Sequence, residues 1–153
     1  MAKAEYSILG TSIPRMGGVE RVTGAAIYGI DLALADAIRG GVLRSRYAHA
    51  RIKSIDTSEA ESLPGVYAVV TAKDAPDVKY GRTINDRYML ARDRVRYMGD
   101  PVAAVAADCE ATLKKALKKI KVEYEPLPVV LDGEAAMKPD APTLHEGIPP
   151  PAN

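Results

Sequence analysis

A chain of 153 residues predicts one domain with room for a core of ordinary size. Lys and Arg number 21 against 20 Asp and Glu, and a net charge of +1 excludes the marked basic excess of a dedicated nucleic-acid binder. The single cysteine excludes an intrachain disulfide, no apolar run reaches bilayer-spanning length, and Met1-Ala2-Lys3-Ala4-Glu5 lacks the apolar core of a signal peptide, so a cytoplasmic protein is expected.

Residues 1–20 carry Gly10, Pro14, Gly17 and Gly18 with little periodicity and read as an extended N-terminal arm. From Gly41 to Asp56 apolar and β-branched residues predict two strands around a bend, with Val42 and Leu43 in the first and Ile52 and Ile55 in the second. Ser58 and Glu61 have the spacing of a capping box, and Leu63-Pro64-Gly65 ends the short helix they would start. Residues 65–71 read as a buried strand. The polar stretch 73–88, with Pro76, Gly81 and Asn85, reads as a long loop of the kind that is often functional. Pro101 to Ala107 is apolar enough for a central strand.

The clearest local signal is a helix from Cys109 to Ile120, with Asp108 as its N-cap. Leu113, Ala116, Leu117 and Ile120 fall on one face, while Lys114, Lys115, Lys118 and Lys119 take the other. Lys121, Glu123 and Glu125 then alternate with Val122 and Tyr124, the pattern of a half-buried strand. A second, short helix is expected near Gly133 to Met137. From Lys138 the prolines 139, 142, 149, 150 and 151 predict an extended, weakly packed tail. Strands and helices do not alternate regularly, so the fold class expected is α+β, a mixed sheet with one main amphipathic helix.

Few residues invite chemistry. Glu123 and Glu125 would lie roughly 6.5–7 Å apart on one strand face, a spacing that suits an acid and a base; a solvated strand face beside Lys121 is the plainer reading. Cys109 sits at a helix start, a setting for a nucleophile, though a small residue at that position needs no such role. His49 and His145, the only histidines, are too far apart to build a zinc site with one cysteine. His49 is expected to make a structural hydrogen bond or to lie at an interface beside Arg44, and His145 to be exposed in the tail. Gly17-Gly18 and Gly40-Gly41 are too short for phosphate loops, and the lysine face of the long helix is read as solvated. No catalytic, cofactor-binding or metal-binding residue is assigned.

Several short motifs occur in a fixed order. They are Gly24-Ala25-Ala26-Ile27-Tyr28-Gly29-Ile30-Asp31, Arg44-Ser45-Arg46-Tyr47-Ala48-His49-Ala50, Ile55-Asp56 and Pro64-Gly65-Val66. Asp93-Arg94-Val95-Arg96-Tyr97-Met98-Gly99-Asp100-Pro101-Val102-Ala103 and Val122-Glu123-Tyr124-Glu125-Pro126-Leu127-Pro128 follow. This succession resembles the N-terminal α/β-hammerhead domain of the molybdenum hydroxylase large subunit, in the family of xanthine dehydrogenase, aldehyde oxidase and carbon monoxide dehydrogenase. Leu90 to Ala107 and Lys121 to Pro128 look closest to the 4-hydroxybenzoyl-CoA reductase branch. The family often has Pro and His where this chain has Arg46 and Tyr47.

The resemblance implies an arm over residues 1–20, a hammerhead domain over 21–131 and a tail or linker over 132–153 leading to a molybdopterin-binding region. It implies a non-catalytic structural domain of a molybdopterin-dependent oxidoreductase, with no cofactor on this chain. Molybdopterin would belong to the parent subunit, and FAD and 2Fe-2S centres to the parent complex. Its partners would be the molybdopterin-binding domains, the iron–sulfur and flavin subunits, and a second copy when isolated. The alternatives are a separately encoded subunit of a split molybdenum enzyme, or a stand-alone protein-binding module.

Overall fold

Leu113, Ala116 and Ile120 are buried and Leu117 half-buried, and this apolar stripe holds helix α3 (Glu110–Lys119) on its sheet. The computed structural model describes residues 8–32, 34–145 and 147. The first seven residues of the expected arm, and Pro149, Pro150 and Pro151 of the expected tail, lie outside these. The chain divides into two compact units, Met1–Ala37 and Ile38–Asn153.

In the first unit, residues 8–17 form turns without helix or strand. Helix α1 (Gly18–Thr23) follows, between Gly17 and Gly24 in left-handed backbone, and buries none of its residues. A single 3₁₀ turn spans Gly29–Asp31, closed by Asp31 Oδ2 accepting from the Tyr28 N–H at 2.9 Å.

Among its described residues the second unit carries six strands, and the α+β class expected from sequence holds, with two antiparallel sheets where a mixed sheet is expected. Strands β1 (Arg39–Arg44), β5 (Pro101–Ala107) and β3 (Val66–Thr71) form the first, with β5 central as its apolar composition predicts. Strands β4 (Arg94–Val95), β2 (Ala50–Asp56) and β6 (Lys121–Pro126) form the second. Side chains alternate across a strand, so β5 serves two cores. Ala103, Val105 and Ala107 pack with Leu113, Ala116 and Ile120, while Val102 packs with Ala50, Ala91 and Val95. Ile55 and Val122 touch both clusters.

The expected buried strand at 65–71 is a half-exposed edge strand. Among the described residues it pairs on one side only, with β5, and it leaves Tyr67 65% exposed. The alternation in β6 is as read, with Val122 and Tyr124 half-buried and Lys121, Glu123 and Glu125 outward.

Two helix starts differ from expectation by one residue. The Ser58–Glu61 capping box does not form: Thr57 is the N-cap of α2 (Ser58–Glu61), and its hydroxyl donates to Glu61 Oε1 at 2.6 Å. Asp56 Oδ1 accepts from both the backbone N–H and the hydroxyl of Ser58, which commits Ser58 to the preceding residue pair. At α3 the N-cap is Cys109 and not Asp108. Asp108 still serves the helix start, since hydrogen bonds from Thr112 and Cys109 hold its carboxyl below the usual range. Gly65 makes this possible. Its φ is +85°, it accepts the Asp108 N–H at 2.9 Å, and a Cβ here would stand 2.4 Å from Asp108 Oδ2.

The short helix expected near Gly133 is α4 (Gly133–Ala136), capped by Asp132 Oδ2 accepting from the Ala135 N–H at 2.8 Å. Among the described residues no helix is long and apolar enough to cross a membrane.

Candidate functional site

The long polar loop after β3 doubles back on itself. Tyr80 and Arg87 exchange backbone hydrogen bonds of 2.8 and 3.1 Å, closing residues 81–86 into a tight excursion. Gly81 is required there, because a Cβ would lie 1.8 Å from the Ile84 carbonyl oxygen. The closure turns Asp86 inward, to 7% exposure.

Two side chains meet the Asp86 carboxylate. Arg96 Nη1 donates to Oδ2 at 2.7 Å and to the Asp86 backbone carbonyl at 2.9 Å. His145 Nδ1 approaches the same Oδ2 at 2.6 Å. Arg96 follows β4, and its own N–H donates to Asp100 Oδ2 at 3.0 Å. Tyr80, Asp86, Arg92, Tyr97, Asp100 and His145 surround a cavity of about 260 Å³. Arg92 lies over the Tyr88 ring at 5.0 Å and Arg87 over the Tyr97 ring at 5.9 Å.

The two carboxyls of this cavity, Asp86 buried and Asp100 half-buried, are pushed in opposite directions. Burial works against the ionised Asp86, but the hydrogen bond from His145 and the charges of Arg96 and His145 outweigh it and hold the carboxyl below its usual range. Burial raises Asp100 instead, against the opposing Arg96 N–H, Tyr97 hydroxyl and Arg96 charge. Tyr97 is raised by its own burial and then by Asp100. Divergent carboxyls across one cavity are the pattern of an acid/base pair. Geometry decides against that use. Asp86 Oδ2 is spent on Arg96 and His145, and its Oδ1 is sealed from solvent without a partner. The cluster is built to hold charge and to fasten chain segments.

His145 is the main correction to what the sequence leads one to expect. In place of an exposed side chain in a loose tail, it is docked on a carboxylate 59 positions earlier. His49 is buried at 6% exposure, and its Nδ1 meets the Pro128 carbonyl at 2.7 Å, so it makes the structural hydrogen bond expected of it. A carbonyl only accepts, which puts the proton on Nδ1.

The remaining candidates do not converge. Cys109 is exposed, with Sγ 3.3 Å from the Thr112 hydroxyl. Glu123 accepts from Ser54 at 3.3 Å while Glu125 faces Lys53 at 4.0 Å, so the two carboxylates serve separate cross-strand neighbours. Gly40 and Gly41 lie inside β1, opposite Ala106 and Val105, and Gly17 caps the six-residue α1. On the lysine-rich helix, Lys114 pairs with Glu110 at 3.2 Å and Lys119 with Glu59 at 3.0 Å, as in a solvated face. Among the described residues no three His, Cys, Asp or Glu side chains are grouped to hold a metal ion. Asp86 carries no motif that singles it out in the sequence, where its loop offers only its length as a signal, and Arg96 stands in the Asp93–Ala103 motif without any pointer to Asp86.

Residues 23–128 match the family described as aldehyde oxidase and xanthine dehydrogenase, a/b hammerhead domain. A probable xanthine dehydrogenase component of Bacillus subtilis is 47% identical over 86% of this chain and 18% of its own length. The carbon monoxide dehydrogenase large chain of Afipia carboxidovorans is 40% identical over 92% of this chain and 18% of its own. Among solved structures, the aldehyde oxidoreductase of Desulfovibrio desulfuricans superposes with a TM-score of 0.78 and 36% identity, over 93% of this chain and 17% of that one. The chain thus spans less than a fifth of the length of these relatives. With the family match covering most of the chain, and this agreement in both sequence and fold, the chain belongs to the aldehyde oxidase and xanthine dehydrogenase family and carries its a/b hammerhead domain.

Proposed function

We propose that this chain is a structural, non-catalytic domain of a molybdopterin-dependent oxidoreductase large subunit, packing against the domains that bear the cofactor. The observation that carries this reading is an apolar surface on the second unit. Met98, Val129 and Leu131 are 71%, 46% and 89% exposed and border one cavity of about 230 Å³, with Leu144 and Val130 in its wall. Exposed apolar side chains gathered at one place mark a surface that another protein covers. The parent subunit would carry molybdopterin, with FAD and 2Fe-2S centres elsewhere in a cytoplasmic complex. Hydroxylation or oxidation of its substrate would be performed there, and the hammerhead domain would help to shape the approach.

Affinity purification of the tagged chain from its native cells, with intact mass and molybdenum content read on the eluate, tests the assignment. Recovery with molybdenum and the cofactor-bearing polypeptide, accompanied by hydrogen-exchange protection at Met98, Val129 and Leu131, is the expected result. If that polypeptide proves separately encoded, the chain is one component of a split enzyme. A monomeric chain that recruits nothing and buries none of these three residues refutes the reading.

A further inference from the structure

A third cleft lies between the end of β1 and the start of β6, and it has a different character from the Asp86 cavity. Its volume is about 360 Å³, within the size range of small-molecule sites. Leu43, Ile120 and Val122 form an apolar floor continuous with the α3 core. Arg44, Arg46 and Lys121 stand around it, and no carboxylate is among the residues that line it.

We propose that this cleft binds an amphipathic organic anion, with an apolar body on the floor and a carboxylate held between the arginines.

The three cations are not equivalent. Lys121 is paired with Glu59, which offsets its charge and leaves the arginines as the anchors. Arg44 is fixed by Nη1 donating to the Gly99 carbonyl at 2.9 Å, and its other N–H groups remain for a ligand. Arg46 is steadied by the Tyr47 ring, 5.3 Å from its guanidinium carbon. A guanidinium offers paired donors that match the two oxygens of a carboxylate. An inorganic anion would leave the floor unused, and a hydrocarbon would leave the cations unused. Only a molecule with both parts satisfies the whole cleft. Leu43 and Arg44 come from the end of β1, Lys121 and Val122 from the start of β6, Ile120 from the junction between α3 and β6, and Arg46 from the bend that follows β1. It borders none of Met98, Val129 and Leu131, so this inference stands apart from the docking reading above.

The test is a titration of the full chain with hexanoate, hexanamide and acetate at one ionic strength, following the methyl resonances of Leu43, Ile120 and Val122. Hexanamide keeps the body and removes the charge; acetate keeps the charge and removes the body. Hexanoate is expected to shift all three residues and to bind about tenfold more tightly than either control, from a few charge-assisted contacts in a half-exposed setting. Arg46→Gln, an exposed substitution, is expected to lower hexanoate affinity about fivefold while leaving hexanamide affinity and the melting temperature unchanged. Equal binding of hexanoate and hexanamide overturns the proposal, as does hexanoate binding that leaves these three residues undisturbed. So does an Arg46→Gln chain that binds hexanoate as before. A cleft that responds to an acidic peptide but not to hexanoate belongs to a protein partner, and that outcome also overturns it.

Discussion

Replacing Asp86 by Asn isolates the charge at the centre of the buried cluster. The amide oxygen can occupy the place of Oδ2 and keep both contacts, from Arg96 at 2.7 Å and His145 at 2.6 Å, but as hydrogen bonds to a neutral acceptor. Charge-assisted hydrogen bonds are about twice as strong as neutral ones, which puts the loss at about 1 kcal/mol for each contact. The amide nitrogen then takes the place of Oδ1, which is sealed and without a partner in the wild type too, so this exchange breaks no bond. The sum is about 2 kcal/mol, or about 8 °C in melting temperature for a unit of this size. Thermal unfolding followed by circular dichroism at pH 7 measures it. Asp86 titrates below its ordinary range in the folded state, so its contribution is complete above the unfolded carboxyl value. It fades as pH falls through the folded value. The gap between wild type and Asp86→Asn should therefore close on acidification, because only the wild type has this charge to lose. A gap under about 3 °C at pH 7, or one that stays constant down to pH 3, refutes the reasoning.

Three further substitutions probe other parts of the fold. Gly65→Ala places a Cβ at φ +85° and against Asp108 Oδ2; the left-handed backbone alone costs about 1–2 kcal/mol, and chemical denaturation should show at least that loss. Leu113→Ala empties the centre of the α3 core, where Leu113 is 4% exposed, and should lower unfolding free energy by about 2–5 kcal/mol with little change in the denaturant slope. The double variant Glu123→Gln with Glu125→Gln should melt within about 2 °C of wild type, because each side chain is exposed and meets only its own cross-strand neighbour. A larger drop in differential scanning calorimetry would mean that the pair carries a role its geometry does not reveal.

Elements whose evidence is local are legible from the residues. The α3 stripe repeats at helical spacing within eight residues, and β6 alternates over five, so each announces its own geometry. The order of the short motifs also points to the hammerhead domain without any coordinates. What cannot be read depends on distant parts of the chain. Nothing near Ala50 says that β2 lies between β4 and β6, and nothing near His145 says that Asp86 waits for it. Helix α1 escapes for another reason: it buries no residue, so no apolar period marks it. The displaced capping of α2 shows a third limit. Asp56, Thr57 and Ser58 all carry capping side chains, and spacing alone does not choose among them.

Ile55 and Val122, which touch both apolar clusters, have a mechanical consequence. They sit opposite each other in the second sheet, so pulling that sheet from the first would strip one face of this pair and loosen the other. The two sheets are therefore not separable leaves. Force applied to either strand end is shared across both, and amide protons of β2, β5 and β6 should be released to solvent in one event rather than in two.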